Sequence, residues 1–559
     1  MVGISLNSIV FNDGTEVNLS STDIVVLVGP NNAGKSRSLK DINNALVSPQ
    51  NTIVVKDITI QYHQPADIGK KVRELSLAHL RTDQTVDYQG YKYSIHQSVL
   101  ERIGTTERVN DQLRGFLVSS VTTEERLDIA NPKPVIERGQ PKQRPLQYMA
   151  ERPIRNAVSD VFKRVYNQHV YCFDKASTNI YLHIGEEIKF DHERMSPEQI
   201  TDKYYESIEA LPKLEEQGDG VRSLAGLLIN LMMPNYSMFL IDEPEAFLHP
   251  PQARTLGSIL PELLQDKQAF ISTHSIDLIK GLLTSARDRI RIIRITRNGD
   301  ANRVKPLGQE DLDTIWDDPI MRHSNMIDCL FYEHTVLCES DSDCQLYALA
   351  LDYIKDRKGQ RSDTLFVHCG GKGRMHLISA ELKALGVDYR IIPDIDVLND
   401  RNLIRRLIEA NGGDWAHMQA DYDTLAAAMN IPGGTMTSEE FLDALRMKIK
   451  QRGYTTIAKA ESKRISDDAK GLLENQWDAL KHKGINYIHD AKVKEGLERL
   501  ITEMNQLKIY PVKEGELENF VPQVGDHGPE WVMKVIENHP DMGNKVYDEL
   551  KMFVNSWGL

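Results

Sequence analysis

The chain lacks the features that mark secreted, membrane-spanning and zinc-binding proteins. No apolar run approaches the roughly 18 residues needed to cross a bilayer, and the opening MVGISLNSIVFNDG lacks the basic-then-apolar order of a signal peptide. The five cysteines are odd in number and include no C-x-x-C pair, which argues against a disulfide framework and against a zinc site. These absences predict a cytoplasmic protein with no membrane partner.

An excess of basic residues is also absent. The 559 residues carry a net charge of −14, with 41% hydrophobic and 26% charged residues. A chain of this length is expected to form about three to four domains. A negative total ordinarily counts against a nucleic-acid partner. However, charge acts locally, and carboxylates gathered at a metal site raise the acidic total without repelling a duplex elsewhere.

The clearest motif is the stretch IVVLVGPNNAGKS at 24–36. Five apolar residues predict a buried strand, and the glycine spacing that follows is that of a phosphate-binding loop. Lys35 would reach the β- and γ-phosphates of a nucleotide, and Ser36 would bind its Mg²⁺. The loop backbone would aim successive N–H groups at the phosphates. The predicted nucleotide-binding residues are Gly29, Asn31, Asn32, Ala33, Gly34, Lys35 and Ser36.

Two later apolar strands end in further candidate residues. The strand at 238–242 ends in Asp242, followed by Glu243. Asp242 can hold the same Mg²⁺ as Ser36, and Glu243 is placed to polarise a water molecule. The second strand leads to His274. A lone histidine at a strand end is more often structural, but this one follows two other motifs of nucleotide chemistry.

These segments, in this order, resemble the ABC-type ATPase heads of the SMC and RecF kind. The resemblance covers about 1–305, with a variable insertion at about 70–205, a degenerate signature segment at 218–223 and a D-loop-like segment at 246–249. It implies that two heads sandwich ATP, with Ser223 and its flanking glycines completing the partner's site and His274 acting as the switch histidine. It therefore implies a homodimer or a higher homo-oligomer.

A second α/β unit is predicted over 330–559, after a linker at 306–329. An apolar strand is followed by Glu339, and another by Asp394 and Asp396. Ligands of parallel α/β sheets collect at such strand ends, and crowded carboxylates favour a hard divalent cation. Asp341 and Asp343 follow Glu339 closely, and separate helix caps are the alternative interpretation of these two residues.

Glu339 with the Asp394-x-Asp396 pair looks like a Toprim domain. An ABC-type head followed by a Toprim domain, with the late run GELE at 515–518, resembles the OLD (overcoming lysogenization defect) nucleases, whose relatives include Gabija and retron-associated nucleases. The implied fold is α/β, an ABC-type head followed by a Rossmann-like Toprim domain with a helical insertion at about 401–505. The implied function is an ATP-hydrolysing, Mg²⁺- or Mn²⁺-dependent DNA endonuclease of bacterial anti-phage defence.

The resemblance also implies site residues and partners. Glu339, Asp394 and Asp396 match its metal ligands, Asp343 is a further candidate, and Glu518 matches its late acidic position. The family uses a basic residue near the scissile phosphate, for which Lys483 and Lys481 are the candidates. DNA is the implied partner, and a partner defence protein or a retron RNA or DNA is compatible with the family. The alternative is a DNA-binding ATPase clamp whose Toprim domain is a non-catalytic platform.

Overall fold

The computed structural model of the chain divides into two units, 1–313 and 314–559. It describes residues 2–136, 140–174, 178–189, 197–310, 313, 325–430, 437–454, 456–457, 459–472, 476–524 and 528–559. The division falls inside the predicted linker at 306–329, most of which lies outside the described residues. The structure describes four sheets in unit 1 and one in unit 2, and each unit has its own core.

Unit 1 contains fifteen described strands and ten described α-helices. The strands are β1 Gly3–Phe11, β2 Glu16–Asn18, β3 Ile24–Val28, β4 Val55–His63, β5 Leu77–Leu80, β6 Val86–Gly90, β7 Tyr93–His96, β8 Val118–Val121, β9 Lys133–Pro134, β10 His169–Phe173, β11 Asn179–Gly185, β12 Met238–Asp242, β13 Gln268–Ser272, β14 Ile290–Asn298 and β15 Ala301–Pro306. The helices are α1 Lys35–Ala45, α2 Pro65–Leu75, α3 Gln97–Leu100, α4 Asp111–Leu117, α5 Thr123–Ile129, α6 Arg152–Tyr166, α7 Pro197–Glu209, α8 Asp219–Leu231, α9 Pro250–Leu263 and α10 Ile276–Ala286.

Six of these strands form the central sheet, in the order β15-β14-β3-β13-β12-β8. All neighbours run parallel except β14 and β15, which form a hairpin with Gly299 at its turn (φ 61°). Every residue of β3 and β13 is buried, as expected for strands covered on both faces. The carboxyl ends of the parallel strands therefore share one edge, where the candidate nucleotide residues lie.

The stretch predicted as a variable insertion contributes to this sheet. Its β8 is the edge strand, pairing in parallel with β12 from Val118 to Val121. With four residues and no motif beside it, this strand gives little signal in the sequence. The same stretch also contains a separate three-stranded sheet, β5-β6-β7.

Unit 2 is built on the parallel sheet β17-β16-β18, with β16 His334–Cys338, β17 Thr364–His368 and β18 Asp388–Ile392. Beside β18, the segment containing Ile509 and Val512 makes two parallel bridges. The described helices are α11 Asp341–Arg357, α12 Met375–Ala384, α13 Arg401–Ala410, α14 Trp415–Met429, α15 Ser438–Gln451, α16 Lys459–Leu472, α17 Gln476–Lys483, α18 Ala491–Gln506, α19 Pro529–Asn538 and α20 Asp548–Asn555. The predicted helical insertion thus corresponds to α13–α18. Helices α11, α19 and α20 enclose a core around Tyr347, Trp531 and Trp557.

Among the helices that the structure describes in the two units, none is long and apolar enough to cross a bilayer.

Candidate active sites

The first site is built on the loop between β3 and α1. Gly29 has φ 145°, and a Cβ there would lie 1.9 Å from the carbonyl oxygen of Ile295, so only glycine fits. Gly34 precedes α1 with φ 101°. The helix therefore points its N-terminus into the loop, where its partial positive charge favours phosphate.

Lys35 and Ser36 occupy the first turn of α1. The Lys35 side chain is buried, and its ammonium donates to the carbonyl oxygens of Gly29 (2.7 Å) and Pro30 (2.8 Å). The Ser36 hydroxyl donates to Asp242 Oδ1 at 2.8 Å. The structure thus brings together the hydroxyl and the carboxylate predicted to share Mg²⁺, and oxygen donors of this kind fit that cation.

Glu243 follows directly after β12 and adopts the left-handed region, with φ 47°. Its N–H donates to the carbonyl oxygen of Ser272 (3.0 Å), and its carboxylate lies 3.7 Å from His274 Nε2. Burial and the nearby Lys35 ammonium lower the pKa of His274. At neutral pH the imidazole is therefore mostly uncharged and able to accept or donate one hydrogen bond.

A cavity of about 580 Å³ opens over this loop. Its lining includes the predicted residues Asn31, Asn32, Ala33, Gly34, Lys35, Ser36 and His274. Six other lining residues were not predicted from the sequence, namely Arg37, Ile53, Val54, Arg297, Asp300 and Asn302. Arg297 and Asn302 come from the β14–β15 hairpin, and the Asn302 amide donates to the Ala33 carbonyl oxygen at 2.6 Å. A hairpin gives no motif for such a role.

Ser223 lies in α8, and its side chain is buried in the single chain. The exposed part of the segment is the start of the helix at Gly218 and Asp219. Ser223 lies one helical turn further along α8, and its role at a partner's nucleotide stays a prediction.

The second site is the edge of the unit 2 sheet. Glu339 directly follows β16, while Asp394 lies two residues after the end of β18 and Asp396 two residues further. Each of the three offers one carboxylate oxygen, and these oxygens lie within 4.8 Å of one another. Glu339 Oε1 also accepts the Asp394 N–H at 3.1 Å, while Asp396 Oδ1 is buried without a hydrogen-bond partner among the described residues. An all-oxygen donor set with an unused buried oxygen fits a hard divalent cation.

Crowding of these acids has an electrostatic consequence. Burial and the neighbouring Asp396 raise the pKa of Glu339 to about 7. Burial and Glu339 raise the pKa of Asp394 well above its usual range. Glu339 and Asp394 therefore hold protons more tightly than free acids do, unless positive charge enters the site.

Two lysines supply part of that charge. The Lys481 ammonium lies 3.2 Å from Asp396 Oδ2 and 3.4 Å from Asp394 Oδ2, and the Lys372 ammonium lies 2.8 Å from Asp396 Oδ2. The other candidate lysine, Lys483, instead lies 5.1 Å from the ring centroid of Tyr487. Between the two lysines left open by the sequence, the structure therefore places Lys481 at the acids.

Lys372 and Glu516 were not predicted as site residues. Lys372 follows the Gly370-Gly371 turn after β17, and Glu516 lies 3.8 Å from Lys481 and 2.9 Å from His482 Nδ1. The sequence signal for Lys372 was its place in a glycine-rich turn after a strand that neighbours β16. Glu516 belongs to the same late acidic run as Glu518.

Asp343 and Glu518 lie outside the three-carboxylate cluster. Asp343 closes a capping box at the start of α11, where its Oδ2 accepts the Ser340 N–H at 2.8 Å. The alternative interpretation of a helix cap therefore applies to this residue. Glu518 Oε1 accepts the Gly528 N–H at 3.0 Å. Burial raises the pKa of Asp343, and the charge of Glu518 adds to this effect.

Comparison with known proteins matches a part of each unit to a known family. Residues 57–280 match the family described as "AAA domain, putative AbiEii toxin, Type IV TA system". Residues 330–396 match the family described as "Overcoming lysogenization defect protein-like, TOPRIM domain". The second match ends at Asp396 and includes all three clustered acids. Together the matches confirm the predicted order of an ATPase domain followed by a Toprim domain.

One curated protein and several solved structures are similar to this chain at low sequence identity. The Old nuclease of Escherichia phage P2 is 25% identical over 171 residues, which span 29% of this chain and 28% of the phage protein. A crystal structure of an SMC head bound to the winged-helix domain of ScpA aligns at 12% identity over 56% of this chain and 99% of its own, with a TM-score of 0.35. The SMC head domain from Thermotoga maritima aligns at 11% identity over 55% and 98%, with a TM-score of 0.29.

Proposed function

We propose that this chain, which joins an AAA-type ATPase domain to an OLD-like TOPRIM domain, is an ATP-hydrolysing, divalent-metal-dependent DNA endonuclease of bacterial anti-phage defence. The observation that carries the proposal is the cluster of Glu339, Asp394 and Asp396, whose oxygens lie within 4.8 Å of one another. Similarity to a phage protein named Old nuclease supports the same activity.

Glu339, Asp394 and Asp396 would hold the catalytic cation, Mg²⁺ or Mn²⁺. When bound, such a cation lowers the pKa of an attacking water and stabilises charge on the phosphate. Lys481 and Lys372 already contact these acids, so their ammonium groups lie where a phosphodiester would approach. Phosphate attracts such charges strongly. The lysines would orient the scissile phosphate and balance its charge.

The first unit would bind and hydrolyse ATP. Lys35 and the loop N–H groups would hold the phosphates, and Ser36 with Asp242 would hold Mg²⁺. Glu243 would accept a proton from the attacking water, and His274, 3.7 Å from it, would orient that water or the γ-phosphate. DNA is the proposed substrate of the second unit, and the protein would act in the cytoplasm as a homodimer or larger assembly. A partner defence protein or a retron RNA or DNA would fit this role as trigger.

The competing function is an ATPase clamp on DNA whose Toprim domain does not cut. Incubating the purified chain with plasmid and linear DNA, with ATP and either Mg²⁺, Mn²⁺ or EDTA, separates the two. The nuclease proposal predicts nicked or linear products with a cation and none with EDTA. DNA binding and ATP turnover without cleavage under any cation would favour the clamp.

A further inference from the structure

Arg126 is a fully buried arginine at the edge of the nucleotide site. It lies in α5, which follows β8, and β8 pairs with β12, the strand that ends at Asp242. One guanidinium nitrogen, Nη2, donates to the carbonyl oxygen of Glu243 at 3.0 Å and to Thr123 Oγ1 at 2.9 Å. The other two, Nε and Nη1, are buried and have no hydrogen-bond partner among the described residues.

Burying the Arg126 guanidinium with two nitrogens unpartnered among the described residues lowers the stability of the folded protein. A buried guanidinium with unused donors loses hydration without replacing it. Burial lowers the pKa of Arg126, while the neighbouring carboxylates of Glu245, Asp242 and Glu243 raise it. The side chain is therefore a cation retained beside three acids, although no ion pair within 4.0 Å joins it to them in the described structure. Costly buried groups of this kind are expected where they serve function.

The contact of Arg126 is made to a strained residue. Glu243 has φ 47°, a conformation that L-residues rarely adopt and that persists only where the surroundings hold it. Its N–H is held by the Ser272 carbonyl oxygen, and its own carbonyl is held by Arg126. These two hydrogen bonds fix the peptide groups on both sides of Glu243, and so fix the direction of its carboxylate toward His274.

The backbone of Arg126 is itself fixed. A Cβ on Gly226 of α8 would lie 1.9 Å from the Arg126 carbonyl oxygen, so α8 packs directly against this residue. The side chain of Glu245 holds the segment that carries His274, because its Oε1 accepts hydrogen bonds from Thr273 Oγ1 (2.6 Å) and from the His274 N–H (3.1 Å). Arg126 thus reaches Glu243 from a rigid support.

We infer that Arg126 is a positioning residue for ATP hydrolysis, which holds Glu243 in its left-handed conformation so that the carboxylate faces the attacking water. This inference rests on the proposed ATPase function. Since Arg126 contacts the main chain of Glu243 and not the lining of the nucleotide cavity, its removal should affect turnover more than nucleotide binding.

The test compares two variants. Arg126→Met keeps roughly the length of the side chain but removes its charge and its donors, whereas Arg126→Lys keeps a positively charged donor group. For Arg126→Met, kcat for ATP hydrolysis should fall by about 10- to 100-fold, within the range for a misplaced general base, with KM for ATP changed by less than about threefold. Arg126→Lys should recover part of kcat. Arg114→Met is the matched control, since Arg114 also has a buried unpartnered Nε among the described residues but contacts α1 and Asp111 instead.

A double-mutant cycle distinguishes positioning from general support of the fold. If Arg126 acts through Glu243, adding Arg126→Met to Glu243→Gln should lower the residual rate no further. A kcat for Arg126→Met within twofold of wild type, or full additivity with Glu243→Gln, would overturn the inference. If Arg126→Met does not fold, the same cycle with Arg126→Lys decides. If only the inference about Arg126 is wrong, the wild type still hydrolyses ATP and this hydrolysis still depends on Glu243. If the wild type hydrolyses no ATP, the proposed function and this inference are refuted together.

Discussion

Glu339 should give cation binding by the second unit a clear pH dependence. Its pKa is about 7 in the folded protein, against 4.5 for the free side chain, because it is buried beside Asp396. A proton therefore competes with the cation below pH 7, and affinity for Mn²⁺ should rise by up to about tenfold per pH unit from pH 5 to 7. Isothermal titration at several pH values measures this.

The raised pKa of Glu339 also determines how the stability of the folded protein changes with pH. A carboxyl whose pKa is raised on folding favours the folded state while protonated, so its presence destabilises the cation-free protein increasingly as pH rises from 4.5 to about 7. Saturating Mn²⁺ should oppose that loss. A melting temperature whose response to Mn²⁺ is the same at pH 5 and pH 7.5 would contradict the assignment of Glu339.

Substitutions of Lys481 and Lys483 offer a matched pair of variants that tests which lysine serves the second site. Lys481 contacts Asp394 and Asp396, while Lys483, two residues later, lies over Tyr487. Lys481→Gln should reduce DNA cleavage by about 10²- to 10³-fold, the usual loss for one preorganised charge contact, while Lys483→Gln should stay near wild type. Plasmid nicking rates measure both. The reverse order of the two variants would restore Lys483 as the functional lysine.

Sequence could identify the acids of this site and, through the family resemblance, Lys481 as one of two candidate lysines, but it did not point to Lys372. Glu339, Asp394 and Asp396 each follow an apolar strand, and strand ends of a parallel sheet converge by geometry. Lys481 lies at the end of a helix that is more than 80 residues from Asp396 in the chain, and Lys372 lies in a turn. Their approach to the acids depends on how helices fold back on the sheet, which no local pattern encodes.

At the scale of elements, residues 446–464 form a basic stretch, with seven basic residues and one acidic residue, and most of it lies in the helical hairpin α15–α16. No residue of α15 is buried, so the element is peripheral. Part of its charge is used internally, since Arg452 pairs with Asp468 at 2.6 Å, Lys448 lies 3.9 Å from Asp468, and Arg446 pairs with Asp443. The structure therefore reduces the charge that this hairpin has available for DNA.

DNA binding nevertheless tests this hairpin. Replacing Lys448, Lys450 and Arg452 by glutamine should weaken binding across sequences and reduce the salt slope by about one for each phosphate that the hairpin no longer neutralises. Binding measured at several salt concentrations gives the slope. Lys450→Gln alone should account for most of the effect, because the other two already pair with Asp468. An unchanged slope would mean that the hairpin is a solvated face.

Strands and helices with strong patterns were predictable, and weak ones were not. The apolar runs at β3, β12, β13, β16 and β18 and the Asn298-Gly299 hairpin all appear in the structure. The edge strand β8 was missed, because an apolar pattern over only four residues does not distinguish a strand from a loop. The burial of Ser223 was not predictable either, because residue type identified the segment but not which turn of α8 is exposed.

At the scale of the whole molecule, the ABC-like interpretation predicts self-association. Gly218 is exposed at the start of α8, with no atom within 4 Å of an added Cβ among the described residues, so Gly218→Arg should not disturb the fold. If a second copy completes the ATP site there, this variant should lose most ATP hydrolysis while keeping its melting temperature. Hydrolysis rates and light scattering check both points. A monomer with full ATPase activity would contradict a shared site.

The proposed function requires two separate active sites in one chain, and Asp394→Ala tests this requirement most directly. The aspartate lies in the carboxylate cluster of the second unit, at a strand end and outside the hydrophobic core. With Mg²⁺ or Mn²⁺ and DNA, Asp394→Ala should abolish nicking and cutting while ATP hydrolysis and DNA binding stay near wild type. A variant that still cuts at the wild-type rate, or a wild type that binds DNA and hydrolyses ATP yet cuts no DNA with either cation, would contradict the nuclease assignment.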